Sequence, residues 1–256
     1  MNVVITTLKK ELMSYFFSPV AYVVAVLFYL FRGFEVSSLA RSYEVFPREV
    51  DGFTTAYIFQ SSTNFMIVLV PPILTMRCFA EERRTGSLEV LLTAPVREFE
   101  VVLGKWLAAL LFFAAIWLPT ALLLWALTWP PFLNGALPLG PAFTSYVGLT
   151  LLGAMLLAVG CFTSSLTDNQ LLASLSAMLF NIALLAVPTL AGPSGAGPTH
   201  ESAFVRTLLE QVNVYDHLQN WFTRGLIDTS HLAFYAGGAA FFLFLTVKSL
   251  ESRKWR

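Results

Sequence analysis

An all-α integral membrane protein with six spanning helices is predicted by three observations. Of 256 residues, 56% are hydrophobic and only 12% are charged, with a mean hydropathy of +0.67. Soluble domains carry about 25% charged residues, and a soluble chain of this composition would expose large apolar patches. Apolar segments recur at about 19–34, 56–76, 101–128, 143–165, 171–190 and 232–250. Each approaches the roughly 20 residues that cross a bilayer as a helix. The basic residues are also unevenly distributed between the connections, as membrane topology demands. The net charge of zero offers no electrostatic case for a nucleic-acid partner. Two cysteines, Cys78 and Cys161, make neither a disulfide framework nor a metal site.

Residues 1–18 read as an interfacial helix. Val3, Val4, Leu8, Leu12 and Phe16 recur at helical spacing, with Lys9, Lys10 and Glu11 on another face. Lys9-Lys10 precede an apolar run, but no small-residue cleavage site of a secretory signal follows. The first span begins at Pro19, a residue suited to a first helical turn. Arg32 at its far end is expected to snorkel to the interface. A polar loop is expected over 35–56. The second span carries Gln60, Ser61, Ser62, Thr63 and Asn64 in its outer half and Pro71-Pro72 in its inner half, where a kink is expected. Polar residues in a span face protein or water. These five, with Asn181 of the fifth span, form a candidate path or helix interface; hydrogen bonding between helices is the commoner reason for such residues.

The third span is flanked by Lys105-Trp106 at one end and Trp125 and Trp129 at the other, in keeping with interfacial aromatic belts. The fourth carries Gly148, Gly153, Ala154, Ala158 and Gly160, which permit close helix approach. Residues 191–198 (AGPSGAGP) break the helical pattern. Short amphipathic helices on the outer face are expected over 199–231, and the sixth span ends in a basic tail.

With the N-terminus inside, the inner segments hold Lys9, Lys10, Arg77, Arg83, Arg84, Arg97, Lys105, Lys248, Arg253, Lys254 and Arg256. The outer loops hold Arg41, Arg48, Arg206 and Arg224. This bias places both termini in the cytoplasm, leaves both cysteines near the reducing side, and puts His200, His217 and His231 outside. The histidines are too scattered for a zinc site. Asp168, at a turn, reads as a helix cap rather than an acid-base group. No catalytic residues, bound metal or cofactor are expected. No GxxxxGK[ST] phosphate loop is present, so the chain does not hydrolyse ATP through that device.

The densest charged run is Arg77 to Val96, between spans two and three. Thr85-Gly86-Ser87 interrupts it. Ser87 is placed to cap a short helix over 88–92, with Glu89 near its N-terminus and Pro95 as a stop. Such a mixed apolar and acidic helix suits docking into a partner's groove. An ordinary charged membrane-interface loop fits the same composition.

The run Glu81-Glu82-Arg83-Arg84-Thr85-Gly86-Ser87-Leu88-Glu89-Val90-Leu91-Leu92-Thr93-Ala94-Pro95-Val96, followed by Val102-Leu103-Gly104-Lys105, resembles the signature of ABC-2 type transporter permeases. The stretches 11–22 (ELMSYFFSPVAY) and 217–256 are similar to the gliding-motility-associated branch of that family. The resemblance implies a single permease domain of six spans that works as a dimer, with a second copy or a related permease. It implies cytoplasmic ABC ATPase subunits that bind ATP and Mg, and a bacterial inner-membrane location. An accessory protein at the outer face is a further expected partner beside the lipid bilayer. It also implies that the 77–97 loop holds the coupling helix, with Glu81, Glu82, Arg83, Arg84, Gly86, Ser87, Leu88, Glu89, Leu91 and Leu92 receiving the ATPase. The function so implied is the membrane subunit of an ATP-driven exporter. A membrane anchor or mechanical scaffold that binds an ATPase without transport is the alternative. A stand-alone ion-coupled carrier is disfavoured, because the spans read as free of charge in their middles.

Overall fold

The computed structural model describes residues 2–45, 57, 61–87, 96–126, 139–191 and 211–252. Every element among them is helical: α1 (Asn2–Phe16), α2 (Pro19–Val45), α3 (Ser61–Thr75), α4 (Ala80–Arg84), α5 (Glu98–Ala126), α6 (Leu139–Leu166), α7 (Gln170–Ala191) and α8 (Thr229–Glu251). Before α8 the chain makes a compact hook, in which Val214–Asp216, His217–Trp221 and Phe222–Arg224 form successive α-, π- and 3₁₀-type turns. Among the described residues, six helical stretches are long and apolar enough to cross a membrane: Pro19–Ser38, Thr63–Arg84, Glu98–Ala126, Gly140–Leu166, Gln170–Val187 and Thr229–Glu251.

Helix α6 is the axis of the bundle. It packs against α3, α5, α7, α8 and the hook, and 78% of its most apolar window is buried, against 22% for α2 and α7. Its small residues explain this centrality. A Cβ at Gly148 would lie 2.7 Å from the Phe222 ring. Gly153 leaves no room for one beside the Phe113 ring, nor does Gly160 beside the Thr75 side chain. Ala154 and Ala158 are buried between them. A stripe of small residues thus lets three elements approach one helix, the role that close packing in lipid assigns to Gly and Ala.

Two findings depart from the expectations above. Residues 35–45 continue α2 instead of forming a loop. Arg32 forms an i,i+3 ion pair with Glu35 at 3.7 Å, and Ser37 Oγ donates to the Phe34 carbonyl at 2.7 Å, so polar side chains find partners along the helix itself. Arg32 also does not snorkel. It is 1% exposed and turned into the bundle, where Nη1 donates to the Tyr57 carbonyl (3.1 Å) and to Thr63 Oγ1 (2.7 Å). Its guanidinium lies 4.3 Å from the Tyr57 ring centroid. Thr63, in the expected polar half of span two, supplies the acceptor that makes inward burial tolerable.

Helix α3 runs through Pro71 and Pro72 to Thr75, whose hydroxyl donates to the Pro71 carbonyl at 2.8 Å. A turn over 76–79 then leads into α4. Helix α1 lies along the start of α5. Gly104 permits this, since a Cβ there would sit 2.9 Å from the Thr7 Cβ and 3.0 Å from the Val4 carbonyl oxygen. Val247 and Leu250 of α8 join Cys78, Phe79 and Val102 in one apolar cluster. Both ends of the described chain therefore gather at the same end of the bundle. The hook caps the opposite end, where Thr144 Oγ1 of α6 donates to the Phe222 carbonyl at 2.6 Å.

Candidate functional site: a buried ion triad beneath a charged turn

The end that gathers both chain ends is built around Lys105. This residue lies two turns into α5 and is 2% exposed. Its ammonium donates to Glu11 Oε1 of α1 and to Glu82 Oε1 of α4, each at 2.8 Å. The Phe79 ring centroid lies 5.4 Å from Nζ. A buried ammonium requires such compensation. Here two carboxylates from two separate elements meet one cation, so the node is an anionic clasp joining α1, α4 and α5. Glu82 Oε2 is buried and has no hydrogen-bond partner among the described residues.

Helix α4 is short, and its ends are satisfied by its neighbours. Its N-cap residue, Phe79, offers no side-chain acceptor. The orphan donors Phe79 N and Ala80 N both bond Ser164 Oγ of α6 at 3.1 Å, and Ser164 donates to the Met76 carbonyl at 3.3 Å. In return, Arg83 Nη1 donates to the Leu166 carbonyl at 2.6 Å, at the C-terminus of α6, where cations are favoured. The two helix ends cap each other.

Thr85-Gly86-Ser87 then turns the chain away. Gly86 adopts φ of +74°, which suits glycine. Thr85 Oγ1 donates to the Glu81 (3.0 Å) and Glu82 (3.2 Å) carbonyls. Ser87, expected to cap a helix over 88–92, donates its hydroxyl back to the Glu82 carbonyl at 3.3 Å. Arg84, Thr85, Gly86 and Ser87 are exposed.

The expected docking residues thus divide. Arg84, Gly86 and Ser87 face outward, Arg83 holds α6, Glu82 is turned onto Lys105, and Glu81 is half-buried at the rim of an adjoining cavity. Leu88, Glu89, Leu91 and Leu92 lie outside the described residues. Of the path-or-interface set, Gln60 lies outside them too, and Ser61 and Ser62 open α3. Thr63 binds Arg32, and Asn64 is half-buried. Asn181 on α7 is fully buried, and neither amide atom has a hydrogen-bond partner among the described residues.

At the opposite end His217 and His231 stack with centroids 4.0 Å apart, beside Trp221, Phe234 and Tyr235. Burial, reinforced by the neighbouring His231, pushes the His217 imidazole down to about 4. Among the described residues no three His, Cys, Asp or Glu side chains are placed to hold a metal ion.

Spacing had marked the interruption at residues 85–87, but not the triad. Its members are separated by 94 and 23 positions, and only the lone lysine in an apolar helix hinted at burial. No curated protein matches the chain. The family model described as ABC-2 family transporter protein matches residues 35–209, well over half of the sequence, spanning the charged turn and α3 to α7. Taken with the all-helical bundle and its six membrane-length helices, that match makes the chain a member of the ABC-2 transporter family, a multi-pass membrane permease.

Proposed function

We propose that this chain is the membrane-spanning subunit of an ABC-2 exporter, driven by separate cytoplasmic ATPase subunits that bind ATP and Mg and dock on the 81–92 stretch. Two copies, or one copy with a related permease, enclose the path. Both termini lie in the cytoplasm of a bacterial inner-membrane protein, and the whole chain is one permease domain. The ends of the sequence, 11–22 and 217–256, favour the gliding-motility-associated branch.

The observation that carries this reading is the mounting of α4. A short exposed turn is clamped to α6 through Ser164 and Arg83, and to α5 and α1 through Glu82 and Lys105. Force applied at Arg84, Thr85, Gly86 or Ser87 reaches α6, α5 and α1 through these hydrogen bonds and ion pairs. Glu82 transmits the force, while Arg84 and Ser87 touch the partner. The basic bias of this end supports its cytoplasmic placement.

Reconstitution with the cognate ATPase tests the proposal. Arg84→Glu and Ser87→Trp, both at exposed positions, are expected to weaken complex formation and substrate-linked ATP turnover while leaving thermal unfolding unchanged. Unaltered complex formation in both variants would overturn the docking assignment. ATPase binding with no substrate movement in sealed vesicles would instead favour a mechanical scaffold.

A further inference from the structure

Beside the Lys105 clasp lies a cavity of about 220 Å³, lined among others by Lys10, Glu11, Tyr15, Arg77, Glu81 and Glu82. Its lining carries three cations, Lys10, Arg77 and Lys105, and three carboxylates, Glu11, Glu81 and Glu82. The clasp sets two carboxylates against one ammonium, and Glu82 Oε2 is buried with no hydrogen-bond partner among the described residues. Lys10 and Arg77 supply positive charge on the same lining. An ammonium beside Glu82 and a phosphate beside Lys10 and Arg77 would each meet the opposite sign, in charge-assisted contacts stronger than neutral ones.

A second cavity, of about 280 Å³, is apolar and lies between the end of α1, α2 and α5, with Tyr22, Ala25, Val26 and Phe112 in its walls. Tyr15 and Ala21 line both cavities, so the polar chamber and the apolar groove adjoin. Tyr22 and Val26 remain 58% and 56% exposed, on a flank of a membrane helix with no protein cover in the described chain. A zwitterionic chamber that continues into a groove open towards lipid has the polarity profile of an amphiphile. The α1 helix, amphipathic and lying across this junction, is where a head group meets acyl chains.

From these adjoining chambers we infer that the chain holds one phospholipid with an amine head group, drawn from the surrounding leaflet. The ammonium sits at Glu82, the phosphate at Lys10 and Arg77, and an acyl chain lies along the groove past Ala25. The site needs only the membrane placement of the bundle, not the docking of an ATPase.

The test uses the purified chain alone, in nanodiscs of equal phosphatidylethanolamine, phosphatidylglycerol and phosphatidylcholine. After exchange into detergent, lipid mass spectrometry should find about one phosphatidylethanolamine retained per chain, in preference to the other two. Ala25→Phe fills the groove without touching the clasp, and Arg77→Gln removes a phosphate partner. Each is expected to lower retention about tenfold, the scale of one charge-assisted or chain-packing contact, with thermal unfolding unchanged. Retention of the three lipids in proportion to supply, preferential retention of phosphatidylglycerol, or unchanged retention in both variants would overturn the inference. Because no ATPase is present, failure here leaves the docking proposal standing, and failure of docking leaves this site standing.

Discussion

Lys105 and Arg32 are both cations buried to within a few per cent, in helices of membrane length, yet they are held in opposite ways. Lys105 is met by two full carboxylates from α1 and α4. Arg32 is met by a carbonyl, a hydroxyl and an aromatic face, with Glu35 at the longer distance of 3.7 Å. The first arrangement fastens three elements through charge. The second settles a cation mainly with dipoles, and leaves Nε and Nη2 without hydrogen-bond partners among the described residues. A carboxylate clasp loses most when its cation is removed, because the remaining charges are stranded. A mainly dipolar setting leaves neutral acceptors behind, with Glu35 the one carboxylate beside them, at longer range and partly exposed.

Substitutions sharpen this contrast. Lys105→Met should have the largest effect, since it leaves Glu11 and Glu82 facing one another; the expected cost is about 3–5 kcal/mol, read as a lower unfolding temperature in detergent. Adding Glu82→Gln to that variant should recover part of the loss, and an additive double variant would contradict the clasp. Arg32→Leu should cost less, about 1–3 kcal/mol, the scale of stranded neutral polar groups. A penalty above that of Lys105→Met would invert the comparison.

The His217–His231 stack provides a third case, in which no fixed charge is buried. The folded state holds His217 down to about 4, below its ordinary value near 6.5. The unfolded chain therefore takes up a proton that the folded hook does not, and stability is complete above about 6.5 and is lost as pH falls towards 4. Hydrogen-exchange protection over 213–225, corrected for the pH dependence of intrinsic exchange, should fall between pH 7.5 and 5, and His217→Phe should abolish that dependence. The smallest effect is expected at Asn181, whose buried amide has no hydrogen-bond partner among the described residues. Asn181→Leu should be neutral or stabilise by up to about 1 kcal/mol. If it instead impairs transport at unchanged stability, Asn181 belongs to the path.

Local pattern carried much of the fold. The helix start at Pro19 follows from residue type. The small-residue stripe of α6 announced close approach before any partner was known. The α2 extension to Val45 was harder to read, because its charges look like a loop until their helical partners are seen.

By itself, the sequence determined the six apolar segments and that Thr85-Gly86-Ser87 ends α4 in a turn. Each of these depends on residues a few positions apart, where periodicity and backbone freedom act. Only the tertiary structure decided that Glu82 faces inward, that Ser164 caps α4 from another helix, and that Lys105 gathers α1 to the charged turn. Those outcomes depend on which distant helix face supplies a partner. In a membrane, where water is not at hand to satisfy a buried polar group, that choice is made by packing and not by spacing.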